Sequence, residues 1–274
     1  LTINSVDSLV ANIIGIPTVI GKDAQTAKAA GISHTPWYGT GIIGAGAAPS
    51  GGLNGATISS TSGVLAGAVP MPVAAAGETT RLARLSLVHA GNVGAVWLVD
   101  KQWGNVPVVT TTTAQSVTSP TWVARDASAS TSGAGVFLAL ECSSATGNAG
   151  AITNTTVSYT NSAGTAGRTA TLASFPATAV QGTWVPLSLQ AGDVGVRSVQ
   201  SITLGTSYVS GQVHLVAFRF IADLALPLTN VANTANFTTL GLPTIWDNSA
   251  LQLVYWPAGT ALGAVAGSVT YAQG

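Results

Sequence analysis

The stretch Gln212–Ile221 reads QVHLVAFRFI, with Val213, Leu215 and Ala217 on one alternating face and Val216, Phe218 and Phe220 on the other. Successive side chains of a strand point to opposite faces, so a run that is apolar on both faces predicts a central strand covered on both sides. Around it, short runs bounded by Gly, Asn or Ser recur: Arg81–His89, Gly94–Asp100, Gly135–Glu141, Thr156–Thr160, Arg168–Ala173, Trp184–Leu189, Val196–Leu204, Leu251–Trp256 and Ser268–Tyr271. Many short strands separated by turn residues predict a β-sandwich or barrel. Helix is expected only over Ser5–Ile14, with Ser5 or Asn4 as cap and Val6, Leu9, Val10 and Ile13 on one face, and over Asp23–Ala30.

The expected fold class is therefore all-β, a jelly-roll-like β-sandwich with little helix and an extended Gly/Ala-rich N-terminal arm. Residues 1–77 form the N-terminal segment and arm in this reading, and residues 78–274 the sandwich. Within the first part, Thr40–Gly63 is rich in Gly, Ala, Ser and Thr, and Val64–Ala76 is apolar with Pro70 and Pro72. A loop of that length is unusual in a compact domain unless functional, which predicts an arm lying on a neighbouring subunit.

Charge narrows the function. Only 18 of 274 residues are Asp, Glu, Lys or Arg, nine of each sign, where an ordinary soluble domain carries roughly a quarter. No net charge draws the chain to nucleic acid or to an anionic membrane. Long intervals, Ala29–Gly77, Cys142–Gly167 and Asn248–Gly274, hold no charge at all. Such segments must be buried, packed on a partner, or present a Ser/Thr/Gly surface. No basic residue precedes the apolar stretch of residues 1–21, so no secretory signal is expected. The most apolar run, Val64–Gly77, is broken by its prolines and is shorter than the roughly 20 residues of a membrane span.

Catalytic signatures are missing. Gly39, Gly41 and Gly44 in GTGIIG match the spacing of a dinucleotide loop, but Pro36 precedes them and Pro49, Gly51 and Gly52 follow. Neither the strand before nor the helix after that such a loop needs is present, so a flexible arm is the better reading. His34, His89 and His214 occupy unrelated settings, and His214 reads as a satisfied core or interface residue. The nine acids are spread singly, without the facing pair a glycosidase requires. Cys142 is the only cysteine and is expected to be buried. No enzyme activity, cofactor or metal is expected.

Seven tryptophans, Trp37, Trp97, Trp103, Trp122, Trp184, Trp246 and Trp256, are assigned to the core and to subunit interfaces before a sugar platform. Trp37, Trp103 and Trp256, with Arg168, Asp193 and Arg197, are the interface or structural candidates. The three charges sit in AGRTATL and GDVGVRSV, and are expected to pair with each other or with a neighbouring subunit.

Four stretches carry a family resemblance: RLARLSLVHAGNVGAVWLVDKQW (Arg81–Trp103), TNTTVSYTNSAGTAGRTATL (Thr153–Leu172), LQAGDVGVRSVQSITL (Leu189–Leu204) and NSALQLVYWPAG (Asn248–Gly259). They resemble structural proteins of tailed bacteriophage particles, from about residue 80 to the C-terminus. The resemblance implies a virion component, with no active-site residues to carry over. Low charge fits permanent interfaces, which are apolar. The function expected is a capsid decoration or cement protein, a homotrimer on the major capsid protein or other virion proteins, with no nucleic-acid or membrane partner. A tail, baseplate or fibre-attachment component and a carbohydrate-binding surface module are the alternatives.

Overall fold

The computed structural model describes residues 2–24, 31–60, 65–260 and 263–274. The strands are β1 (Thr18–Lys22), β2 (Ala56–Thr57), β3 (Thr80–His89), β4 (Gly94–Gly104), β5 (Gln115–Ser116), β6 (Val136–Ser144), β7 (Thr155–Asn161) and β8 (Arg168–Leu172). They continue as β9 (Trp184–Pro186), β10 (Val196–Thr203), β11 (Gln212–Leu226), β12 (Asn233–Asn236), β13 (Thr244–Ile245), β14 (Leu251–Pro257) and β15 (Val265–Gln273). Helix is confined to α1 (Val6–Asn12) and α2 (Phe237–Leu240) among the described residues.

Pairing is antiparallel throughout and yields three sheets: β1-β15-β3-β12 with β13 beside β3, β5-β10-β7-β8, and β14-β4-β11-β6-β9 with β2 beside β4. The layered all-β architecture is the expected one. Its strands are divided among three sheets, whereas a jelly roll packs two.

β11 explains why three sheets fit together. Its Val213, Leu215 and Ala217 enter a core shared with β7, β8 and β10, while Ala222, Leu224 and Leu226 enter a second core shared with β3 and β15. Odd residues face inward before the bulge at Ile221, and even residues after it, because one extra residue in a strand flips the alternation. A matching bulge at Gln102 does the same for β4, so Val96 and Leu98 serve one core and Trp103 the other. One long sheet thus carries two shorter ones side by side.

Its other face is also covered, as the doubly apolar sequence predicts. Val99, Ala139, Trp184, Val216, Phe218 and Val254 form a third core there. The sheet curls over this core, and residues 33–35 bridge its two edges. His34 exchanges backbone bonds with Tyr255 of β14 (2.9 and 2.7 Å), and the Trp184 N–H of β9 donates to the Ser33 carbonyl (2.9 Å). Trp97 of β4 consequently meets Trp184 across the interior, ring centroids 6.3 Å apart and nearly perpendicular.

Two expectations need correction. The described part of the arm does not extend away. Residues 31–60 and 65–77 run along the chain's own sheets, burying Trp37, Ile43, Val69 and Met71. Small residues permit this: Gly55 has φ +73, and a Cβ there would lie 2.6 Å from the Trp103 indole nitrogen. The helical face of α1 is also split. Ser5 and Ser8 form a reciprocal capping box, but Leu9 alone is buried, against Ala83 and Ala272, while Val6 and Val10 are about 60% exposed. A seven-residue helix lying on a sheet seats one row of side chains. The helix expected over Asp23–Ala30 falls mostly in residues 25–30, outside the described residues.

Candidate functional site

Among the described residues seven charged residues are buried: Lys22, Asp100, Lys101, Arg125, Asp126, Glu141 and Arg219. Burying a charge is tolerated only with partners. Two of these clusters flank one point of β4, since consecutive residues of a strand face opposite ways.

Asp100 points to the seam between the two inner cores. Its carboxylate pairs with Arg125 Nε (3.3 Å) and accepts from Ser249 Oγ (3.0 Å) and the Ala250 N–H (2.9 Å), with Arg219 directly across on β11. Burial pushes the Asp100 carboxyl up, and the Arg125 and Arg219 charges pull against it. The Arg125 guanidinium also donates to the carbonyls of Ile58 (2.6 Å) and Lys101 (3.3 Å), tying the N-terminal segment to the seam.

Lys101 points the other way, into the curled sheet, and pairs with Glu141 of β6. Gln252 of β14 reaches Glu141 across the interior (Nε2 to Oε1, 3.3 Å), and the Trp37 ring lies 5.0 Å from the ammonium. Burial lowers the Lys101 pKa, while Glu141 opposes the shift.

The glycine-rich loop has a structural job. Lys22 Nζ donates to the carbonyls of Trp37 (3.4 Å), Gly39 (2.9 Å) and Gly44 (2.9 Å), so GTGIIG wraps an ammonium of its own chain. Burial lowers the Lys22 pKa to about 8, with Asp23 acting in the opposite sense. Lys22→Met leaves those carbonyls without their donor and should cost about 1–3 kcal/mol, read as the loss of urea-unfolding free energy. A cost near zero would show that the loop holds its shape without the ammonium.

The sequence candidates fall into distinct places. Trp37 and Trp103 are buried, their indole N–H groups donating to the carbonyls of Ala47 (3.0 Å) and Asn54 (3.1 Å). Both therefore pack inside this chain, whereas Trp256 is half-buried at the rim of the third core, 4.9 Å from the Trp97 ring. Arg168 and Asp193 do pair, through Nε to Oδ2 (2.9 Å) and Nη2 to Oδ1 (3.1 Å). Arg197 stays outside that pair and donates to the Ser162 carbonyl (2.8 Å).

Asp193 also accepts from Tyr159 Oη and from Asn161 Nδ2 (2.7 Å). Arg168 first, then Tyr159 and Asn161, hold its carboxyl at about 2, below the ordinary 3.8. A depressed acid contributes stability that is present above the unfolded value and is lost as pH falls through the folded one. Melting temperature should thus drop between about pH 4 and pH 2, and Asp193→Asn should flatten that part of the profile. An identical acid profile in the variant would refute this assignment.

All three histidines are buried, and the fold brings two of them to one tyrosine: His89 stacks on Tyr255 (4.3 Å) and His34 meets the same ring edge-on (5.4 Å). His214 bonds the Asn105 carbonyl (2.7 Å) and Ser143 Oγ (2.6 Å), and burial lowers its pKa. Cys142 is buried in the inner core. Among the described residues no three His, Cys, Asp or Glu side chains cluster to hold a metal, and no helix is long and apolar enough to cross a membrane.

Among the described residues few charges remain for the outside, over an accessible surface of 10566 Å². Apolar side chains are exposed instead, including Ile16 (85%), Val19 and Ile42 (71%) beside edge strand β1. Ile42 lies over Gly21, on the face of β1 that Val19 shares.

The molecule belongs to the class of antiparallel all-β sandwich proteins. No protein-family model and no curated protein matches the chain. Among solved structures, a chain of infectious bursal disease virus strain Gx aligns at 13% identity and a TM-score of 0.16, over 71% of this chain and 39% of that one. A chain of strain Gt aligns at 16% identity and a TM-score of 0.15, over 72% and 41%. This chain spans about two fifths of the length of those chains. Superpositions at such scores carry no argument about function.

Proposed function

We propose that the protein is a non-enzymatic structural component of a virus particle: a decoration or cement protein of a tailed-phage head, acting as a homotrimer on the major capsid protein. The observation that carries this reading is the distribution of charge. Seven ionic side chains are spent inside the fold, and the surface left outside is sparsely charged and studded with exposed aliphatic residues. Soluble monomers keep roughly 25–35% of their surface residues charged, whereas permanent interfaces are depleted in charge. The four stretches that resemble tailed-phage structural proteins support the choice of particle. Added buried area per copy is the whole mechanism, and no reacting group is required.

Immunogold labelling of purified particles with an antibody against this chain tests the reading. Label over the whole head lattice is the expected result. Label confined to the tail would replace the cement role with a tail role, and unlabelled particles would end the virion reading.

A further inference from the structure

A cleft of about 440 Å³ opens beside the start of β10, away from the buried charges and from the β1 edge. Three segments wall it: residues 119–121, residues 130–132 and Arg197–Ser198. Each is fixed before any ligand arrives. Ser119 Oγ accepts the Val199 N–H (2.9 Å), which ties the first wall to β10. The second is knotted around Asp126, whose carboxylate accepts the N–H groups of Ser128, Ser130, Gly133 and Ala134 and the hydroxyls of Ser130 (2.7 Å) and Ser132 (2.9 Å). Gly133 (φ +80) locks this loop to β10, since a Cβ there would lie 1.9 Å from the Val196 carbonyl oxygen.

The hydrogen-bonding inventory of the walls selects the ligand. The Ser130 and Ser132 hydroxyls donate to Asp126, and Ser130 Oγ also accepts the Ser132 N–H (3.2 Å), so what this wall has left to offer is oxygen lone pairs, chiefly those of Ser132. Ser119 and Ser198 accept from Val199 N and Gln200 Nε2 (2.8 Å), which leaves their hydroxyl hydrogens to donate. Arg197 contributes a guanidinium that no carboxylate of the described residues pairs with, held at one end by the Ser162 carbonyl. No acid lines the cleft. A small inorganic anion leaves the lone pairs unused, and a neutral sugar can accept from the guanidinium but leaves its charge uncompensated. A ring with several hydroxyls and one carboxylate uses both.

We propose that this cleft binds an acidic saccharide, its carboxylate on Arg197 and its ring hydroxyls on the serine and threonine walls. The guanidinium is planar and forked, which suits a carboxylate better than a point charge would. The site is open, so a single cleft binds weakly. Repetition over an assembly multiplies the affinity, a consequence that rests on the oligomeric reading while the cleft itself does not.

Saturation-transfer NMR and titration calorimetry on the full chain, with glucuronate, N-acetylneuraminic acid methyl glycoside, methyl galactoside and inorganic phosphate, test the proposal. Saturable binding of at least one acidic sugar is expected, about tenfold or more tighter than the neutral sugar or phosphate. Arg197→Gln should weaken it by about tenfold or more. Thr131→Trp fills the cleft without removing any of the wall bonds named above and should abolish binding, which keeps the test sound if the Arg197 variant misfolds. Absence of saturable acidic-sugar binding, equal binding of phosphate or methyl galactoside, or full binding by folded Thr131→Trp would each overturn the site. Monovalent titration reads the cleft alone, so its failure leaves the virion reading standing, and the reverse holds too.

Discussion

Glu141→Gln should cost about 3–5 kcal/mol of unfolding free energy, one of the two largest single-residue losses expected outside the inner cores. The side chains of Lys101 and Glu141 are 2% and 0% exposed, and their partners Gln252 and Trp37 are buried with them. Removing the carboxylate charge leaves the ammonium in an apolar interior whose burial already depresses its pKa. The neutral amide keeps the volume, so the loss isolates the charge. The double variant Lys101→Met with Glu141→Leu should return to within about 2 kcal/mol of the parent, because an apolar pair has no desolvation cost to offset. Urea unfolding of the parent, Lys101→Met, Glu141→Leu and the double variant closes the cycle. Additive losses would mean that the two side chains do not act as a pair.

Trp184→Ala should cost a similar amount, about 3–5 kcal/mol, for a different reason. Its indole is 1% exposed and fills the curled sheet from β9, touching Phe218 at 4.7 Å and Trp97 at 6.3 Å between centroids. Nothing behind it can collapse into the void, because the Trp184 backbone is tied to Ser33 and the opposite wall is a paired strand. Near-ultraviolet circular dichroism should lose the contribution of the Trp97–Trp184 pair together with the stability. Trp256→Ala, at the half-exposed rim, should cost clearly less. Equal costs at both positions would contradict a closed third core.

The sequence made the layered fold legible because its strongest signal was an unusually long run, Gln212–Ile221, apolar on both faces. The bulges at Gln102 and Ile221 were hidden, since each depends on pairing with a distant strand. The buried ions were half visible. Asp100 and Lys101 stand side by side at the end of an apolar run, and Arg219 interrupts another, which in a chain so poor in charge marks internal pairing. Their partners Arg125 and Glu141 are set by tertiary register and carry no local sign. Small residues make no core of their own, so the Gly/Ala segment by itself suggests an arm lying on a neighbouring subunit. The fold uses them for close backbone approach over its own sheets, with Lys22 holding the glycine loop. Arg168 pairs with Asp193 in the fold, while Arg197, close to Asp193 in sequence, bonds the Ser162 carbonyl instead.

The central claim is that a sparsely charged exterior is surface kept for copies of the same chain. Sedimentation equilibrium of the purified protein at neutral pH tests this most directly, because it needs no particle and no partner. The account predicts a species of about three times the 27.2 kDa chain mass, persisting at high salt because apolar contacts are not screened. Substituting Val19 and Ile42 with Asp should shift it toward single chains. A parent protein that sediments as a 27.2 kDa monomer across the accessible concentration range would contradict the claim.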